Sequence, residues 1–126
     1  MRTHFLSELP LLGKTNALAT FPDFDFYKLG KVTSLAISED LTRAVVDMRM
    51  TAVYVDLASP RSVPITLQFH NVRMVDLPKF SPFFYLSELE IEAVRDRQMD
   101  GITYISKCYG QTKFEVYSKD LSVYVP

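Results

Sequence analysis

Three glutamates at alternate positions, Glu88, Glu90 and Glu92, form the sharpest polar pattern in this chain of 126 residues. Alternate side chains of a strand share a face, so the three carboxylates are expected to project together at intervals of about 7 Å. Like charges placed side by side need water or cations to answer them. Lys107, Lys113, Arg95 and Arg97 could supply that from nearby segments, leaving a solvated face. The functional alternative is an acidic stripe that meets a basic protein surface. Asp23 and Asp25, two apart in Phe21-Pro22-Asp23-Phe24-Asp25-Phe26-Tyr27, are a second pair. Paired carboxylates can divide acid and base roles, but Asp in a Pro-containing loop is expected to cap backbone N–H groups.

His4, His70 and Cys108 exhaust the other candidates. Two histidines and one cysteine do not supply local ligand pairs for zinc, so no metal is expected. His70 with Asn71 falls at a strand bend and reads as a hydrogen-bonding residue. Cys108 lies in an alternating run, without a Gly-rich elbow or helix start beside it, and reads as a buried, inert thiol. Gly13-Lys14-Thr15 matches the end of a phosphate-binding loop, but position 8 is Glu where that loop needs Gly. No catalytic residue and no cofactor follow.

The elements that hold these residues are legible from period-two alternation. Strands are expected at Lys31–Ser38, Arg43–Leu57, Val63–His70 continuing through Val72–Leu77, Phe84–Val94, Ile102–Tyr109, Thr112–Ser118 and Leu121–Val125. Within Arg43–Leu57 the apolar side runs Val46, Met48, Met50, Ala52 and then Val53, Val55, Leu57, a parity change that suggests a β-bulge. A second break falls after His70. Glu39-Asp40, Ala58 to Ser62, Asp100-Gly101 and Gly110-Gln111 read as turns. The first thirty residues differ: an apolar turn around Phe5, Leu6 and Leu9, a short helix within Leu11–Thr20, and an aromatic loop at 21–27. Pro78 to Pro82 is a loop anchored by Phe80 and Phe83.

The expected fold is therefore α+β, mostly antiparallel β. It is a strongly bent or two-layer sheet of about seven strands with a short N-terminal helical segment, in a single domain over 1–126. Its expected core is Val46, Met48, Ile65, Leu67, Phe69, Leu89, Ile91, Phe114, Val116, Leu121 and Val123. A formal charge of −1 gives no basic field for nucleic acid. The N-terminus lacks a signal-peptide core and no run approaches the roughly 18 apolar residues of a membrane span. With a single cysteine, a cytoplasmic, reducing setting is the expectation.

The Phe21–Asp25 segment before the first long strand, the pattern Ile65-Thr66-Leu67-Gln68-Phe69-His70-Asn71-Val72, the run Leu89-Glu90-Ile91-Glu92 and the terminal Phe114–Val125 segment together resemble small bacterial immunity proteins. These belong to polymorphic-toxin and contact-dependent inhibition systems. The resemblance covers about the last hundred residues as pattern rather than identity. One such family carries a Phe-Pro-Ser-Phe-His-Asp-like segment, and the His of that segment is absent here. The resemblance implies a cytoplasmic, non-enzymatic protein that binds and blocks a cognate protein toxin. For such a protein the acidic stripe Glu88, Glu90 and Glu92 is the expected toxin-binding face, suited to the basic cleft of a nuclease. Two other classes stand beside it. One is a small enzyme whose aromatic-lined pocket gathers Asp23, Asp25 and His70, with Phe80 nearby. The other is a homodimeric or larger structural domain built on an exposed sheet face or edge.

Overall fold

The computed structural model describes residues 2–56, 61–79, 81–94 and 101–126. Seven antiparallel strands form one sheet: β1 (Arg2–Thr3), β2 (Leu29–Asp40), β3 (Val45–Asp56), β4 (Arg61–Asp76), β5 (Leu89–Ala93), β6 (Tyr104–Cys108) and β7 (Glu115–Tyr124). Their spatial order is β1-β5-β6-β7-β4-β3-β2. One helix, α1 (Lys14–Thr20), and single 3-10 turns at Leu6–Glu8 and Phe26–Lys28 lie in the N-terminal segment. No helix among the described residues is long and apolar enough to cross a membrane.

The sheet is one curled layer and does not close. Its curl follows from residues 84–93. The Val32 N–H donates to Phe84 O and the Leu86 N–H to Gly30 O, each at 2.9 Å, so this stretch first lies along β2. Only four residues beyond Tyr85 it has become β5, at the far side of the sheet. Four residues span at most about 14 Å, whereas the six strand spacings from this stretch to β5 would need about 29 Å in a flat sheet. The sheet must bend to bring its ends together.

Alternation sets the inner face. Met48, Met50, Ala52 and Tyr54 of β3, Ile65, Leu67 and Phe69 of β4, Leu89 and Ile91 of β5, and Val116, Leu121 and Val123 of β7 are buried there. Residues 2–28 supply the lid: Leu6, Leu9, Leu11, Ala17, Phe21, Phe24 and Phe26 complete the same core. Gly13 makes the lid's sharp turn at φ +83, and a Cβ there would sit 1.9 Å from the Val123 carbonyl oxygen. No L side chain fits that approach. Just before it, the Leu12 carbonyl accepts from the Val123 N–H at 2.9 Å, occupying the part of β7 that β6 does not reach.

Several expectations need correction. β3 has no parity change: Tyr54 continues the inner face and Val53 and Val55 point outward, because the Tyr54 ring packs on Phe21 and Phe24. A bulge lies instead in β2, between Leu29 and Ser34, while the break expected after His70 is present in β4, where Asn71 takes φ 51 and the register shifts between Val72 and Met74. Val46 is only half-buried, since it pairs with Glu39 near the exposed hairpin tip. Ser118 and Leu121 belong to one strand, β7. The turn after β2 comes at 41–44, beyond Glu39-Asp40. β1 was not expected at all. Leu57, Ala58, Asp100, Arg95 and Arg97 lie outside the described residues.

Candidate binding surface

β1, β5, β6 and β7 turn one row of polar side chains outward, because their inner neighbours are all committed to the core. Arg2 is paired with Glu92 in register, Glu90 with Lys107, and Lys107 with Glu115. On this face eight side chains touch in an unbroken chain. Phe5 meets the His4 ring at 4.0 Å, and His4 stacks on Tyr27 at 3.8 Å with the rings 10° apart. The Tyr27 hydroxyl donates to Glu90 Oε2. Arg2 Nε reaches Glu90 Oε1 at 2.8 Å, and its guanidinium lies 4.1 Å from the centre of the Tyr109 ring. Lys107 Nζ lies 5.5 Å from the same ring and 4.0 Å from Glu115 Oε2.

The N-terminal segment is what locks this surface. Asp25 Oδ1 accepts from the Tyr27 N–H at 2.9 Å and contacts His4 Nδ1 at 2.6 Å. The Asp25 N–H in turn donates to the buried Tyr54 hydroxyl at 3.2 Å. Asp25 thus caps a turn, as the turn chemistry implied, and holds His4 and Tyr27 in place. The hydrogen bond to Glu90 pushes the Tyr27 phenol up to about 12. A hydrogen bond to Glu115, made at 2.7 Å, likewise raises Tyr117.

The acidic stripe is only partly as expected. Glu90 and Glu92 alternate along β5, but Glu88 precedes the strand at φ 53, so it leaves the alternation. Its charge still acts on Tyr27. Glu90 is the hub: its side chain is 13% exposed and held by Arg2 and Tyr27. Lys113 pairs with Asp76 at 3.4 Å rather than with the stripe. The sequence pattern located Glu90 but missed Arg2, His4, Tyr27 and Tyr109. These come from the N-terminal segment and a hairpin end, where no alternation marks them.

Asp23, Asp25 and His70 are not gathered in one pocket. Asp23 borders a cavity of about 110 Å³ with Phe21, Lys28 and Asp56. His70 contacts Ser122 Oγ at 3.1 Å and borders a different cavity, of about 350 Å³, with Arg43, Asp47, Lys119 and Asp120. Asp47 there accepts the Asn71 N–H at 2.9 Å, fixing the β4 bulge. The space between sheet and N-terminal segment is filled by core side chains. Phe80 lies outside the described residues. Burial pushes the Cys108 thiol up to about 11, so it stays protonated at neutral pH. Among the described residues no group of three or more His, Cys, Asp or Glu is arranged to hold a metal ion. No known protein family, curated protein or solved structure matches the chain.

Proposed function

We propose that this protein is a cytoplasmic protein-binding module without catalytic activity, of the immunity type, and that the surface around Glu90 meets a cognate toxin domain. The observation that carries this reading is the unbroken Phe5–His4–Tyr27–Glu90–Arg2–Tyr109–Lys107–Glu115 chain. Tyr and Arg dominate binding hot spots because they bring large contact area and directed polar groups together. Here they are already held in place, which lowers the ordering cost of association. Phe5, Tyr27 and Tyr109 remain more than a third exposed, so contact area is left for a partner.

Charge favours the same kind of partner. Glu88, Glu90, Glu92 and Glu115 stand on or beside this face against Arg2 and Lys107. Toxins that cut nucleic acids carry basic clefts, since phosphates demand Lys and Arg. An acidic, aromatic face would speed encounter with such a cleft and exclude its substrate. The dispersal of Asp23, Asp25 and His70, and the protonated state of Cys108, weigh against the enzyme reading.

The test is co-expression with toxin domains encoded beside this gene. The parent is expected to protect cells, and Tyr27→Ala/Tyr109→Ala to fail while remaining folded. Replacing Glu88, Glu90 and Glu92 by Gln should weaken binding and flatten its salt dependence. Full protection by both variants would remove this surface from the account.

A further inference from the structure

β2 ends the sheet, and its outer edge is only half covered. Residues 84–86 follow it as far as Val32. From Thr33 to Asp40 no strand among the described residues pairs with that edge. Open backbone N–H and C=O groups in a row form a template for another strand. Protein edges are commonly blunted by Lys, Pro or a bulge. Thr33–Asp40 contains no Lys and no Pro, and the irregularities of β2 come before Ser34.

The two ends of this edge complement each other. At one end a cavity of about 440 Å³ opens between Lys31, Val32, Thr33, Ser81 and Pro82. At the other end the hairpin tip presents Leu41, 83% exposed, next to Glu39, while Asp40 is held within the turn by the Thr42 and Arg43 N–H groups. A strand with a cation and a socket at one end, and carboxylates and an apolar knob at the other, matches an antiparallel copy of itself.

We propose that β2 pairs antiparallel with β2 of a second copy, centred near Ala36, joining two sheets across a two-fold axis. This register sets Leu35 against Ile37 of the second copy and Ser34 against Ser38. Leu35 and Ile37 share the inner face, opposite Met50 and Met48 of β3, and Ile37 is 59% exposed. Its apolar surface is what the second copy covers. Leu41 enters the cavity beside Lys31, and Lys31 lies against the Glu39–Asp40 end of the other strand. Two-fold symmetry makes each of these contacts twice. A ladder of about seven residues is small beside the roughly 1,600 Å² of a standard interface, so the dimer is weak and reversible. It uses none of the Glu90 surface, and it does not depend on the proposed function.

Sedimentation equilibrium of the full chain from micromolar to millimolar concentration tests this. The parent is expected to pass from 14.5 kDa to twice that mass. Ile37→Lys and Leu41→Asp, both at exposed positions, should each weaken dimerisation by at least about tenfold, equivalent to about 1.4 kcal/mol, with unchanged circular dichroism. Lys31→Glu should loosen the dimer, and adding Glu39→Lys in the same chain should restore it. A parent that stays at 14.5 kDa throughout overturns the proposal. So does a dimer that Ile37→Lys and Leu41→Asp leave intact, because the contact then lies on another surface.

Discussion

The two ends of the sheet treat their polar groups in opposite ways. At the β1–β5 end, side chains close on one another: Glu90 is held by Arg2 and Tyr27, and Asp25 by His4 and a backbone N–H. The N-terminal lid packs beneath them and reaches across the core to β3, where Phe24 stacks on Tyr54 at 4.7 Å. At the tip of the β2–β3 hairpin, every residue from 36 to 44 is exposed, and beyond Val32 the outer edge of β2 pairs with no strand among the described residues. One end presents a rigid side-chain surface; the other presents backbone. Local stability must differ accordingly, since it follows buried contact. On the two proposals made above, the contrast separates two kinds of recognition, one by fixed side chains and one by strand addition.

The largest expected effect lies under the closed end. Phe24→Ala removes a fully enclosed ring from the junction of Phe21, Phe26 and Tyr54, and should cost about 3–5 kcal/mol. The urea midpoint reads it directly. A loss below about 1 kcal/mol would place the lid outside the cooperative core and break the comparison.

Alkaline pH offers the next test. Burial raises the Cys108 thiol from its usual 9 to about 11 in the folded protein. The folded state then keeps a proton that the unfolded state has lost. This contribution is intact below about pH 9 and disappears as pH rises through 11, a loss of up to about 3 kcal/mol. Cys108→Ala should flatten that part of the stability curve relative to the parent. Identical slopes for the two proteins between pH 8 and 10 would mean that the thiol ionises freely in the fold.

Much of the closed end was legible in the sequence, and its centre was not. Alternation found Leu89, Ile91, Leu67, Phe69 and Val123 as core because each side of those strands has one fate. It failed at Tyr54, where Val53 and Val55 look more apolar than a phenol, although only the phenol reaches Phe21 and Phe24. It failed at Glu88 because a positive φ, set by tertiary context, leaves no trace in residue pattern. Arg2 and His4 escaped because β1 has two residues and no period can show in so short a run. The open end was hidden for another reason: whether a strand is an edge depends on sheet order, which alternation does not encode.

Smaller effects sharpen the contrast. Asp25→Ala removes the acceptor of the Tyr27 N–H and the partner of His4, and should cost about 0.5–2 kcal/mol. It should also loosen Tyr27, so partner binding falls more than stability does. Ile37→Ala at the open end should change monomer stability by no more than about 0.5 kcal/mol, measured at concentrations below dimer formation. A larger loss there would show that the hairpin is part of the core after all.

The central claim is that the Glu90 surface is the face that meets a protein partner, and calorimetric titration of a toxin domain encoded beside this gene tests it most directly. Tyr109→Ala removes the ring on which Arg2 lies without touching the core. The account predicts binding weakened by at least about tenfold, or about 1.4 kcal/mol, more than most interface residues cost when truncated, with the melting temperature unchanged. Equal affinity for parent and variant, with both proteins folded, would contradict it.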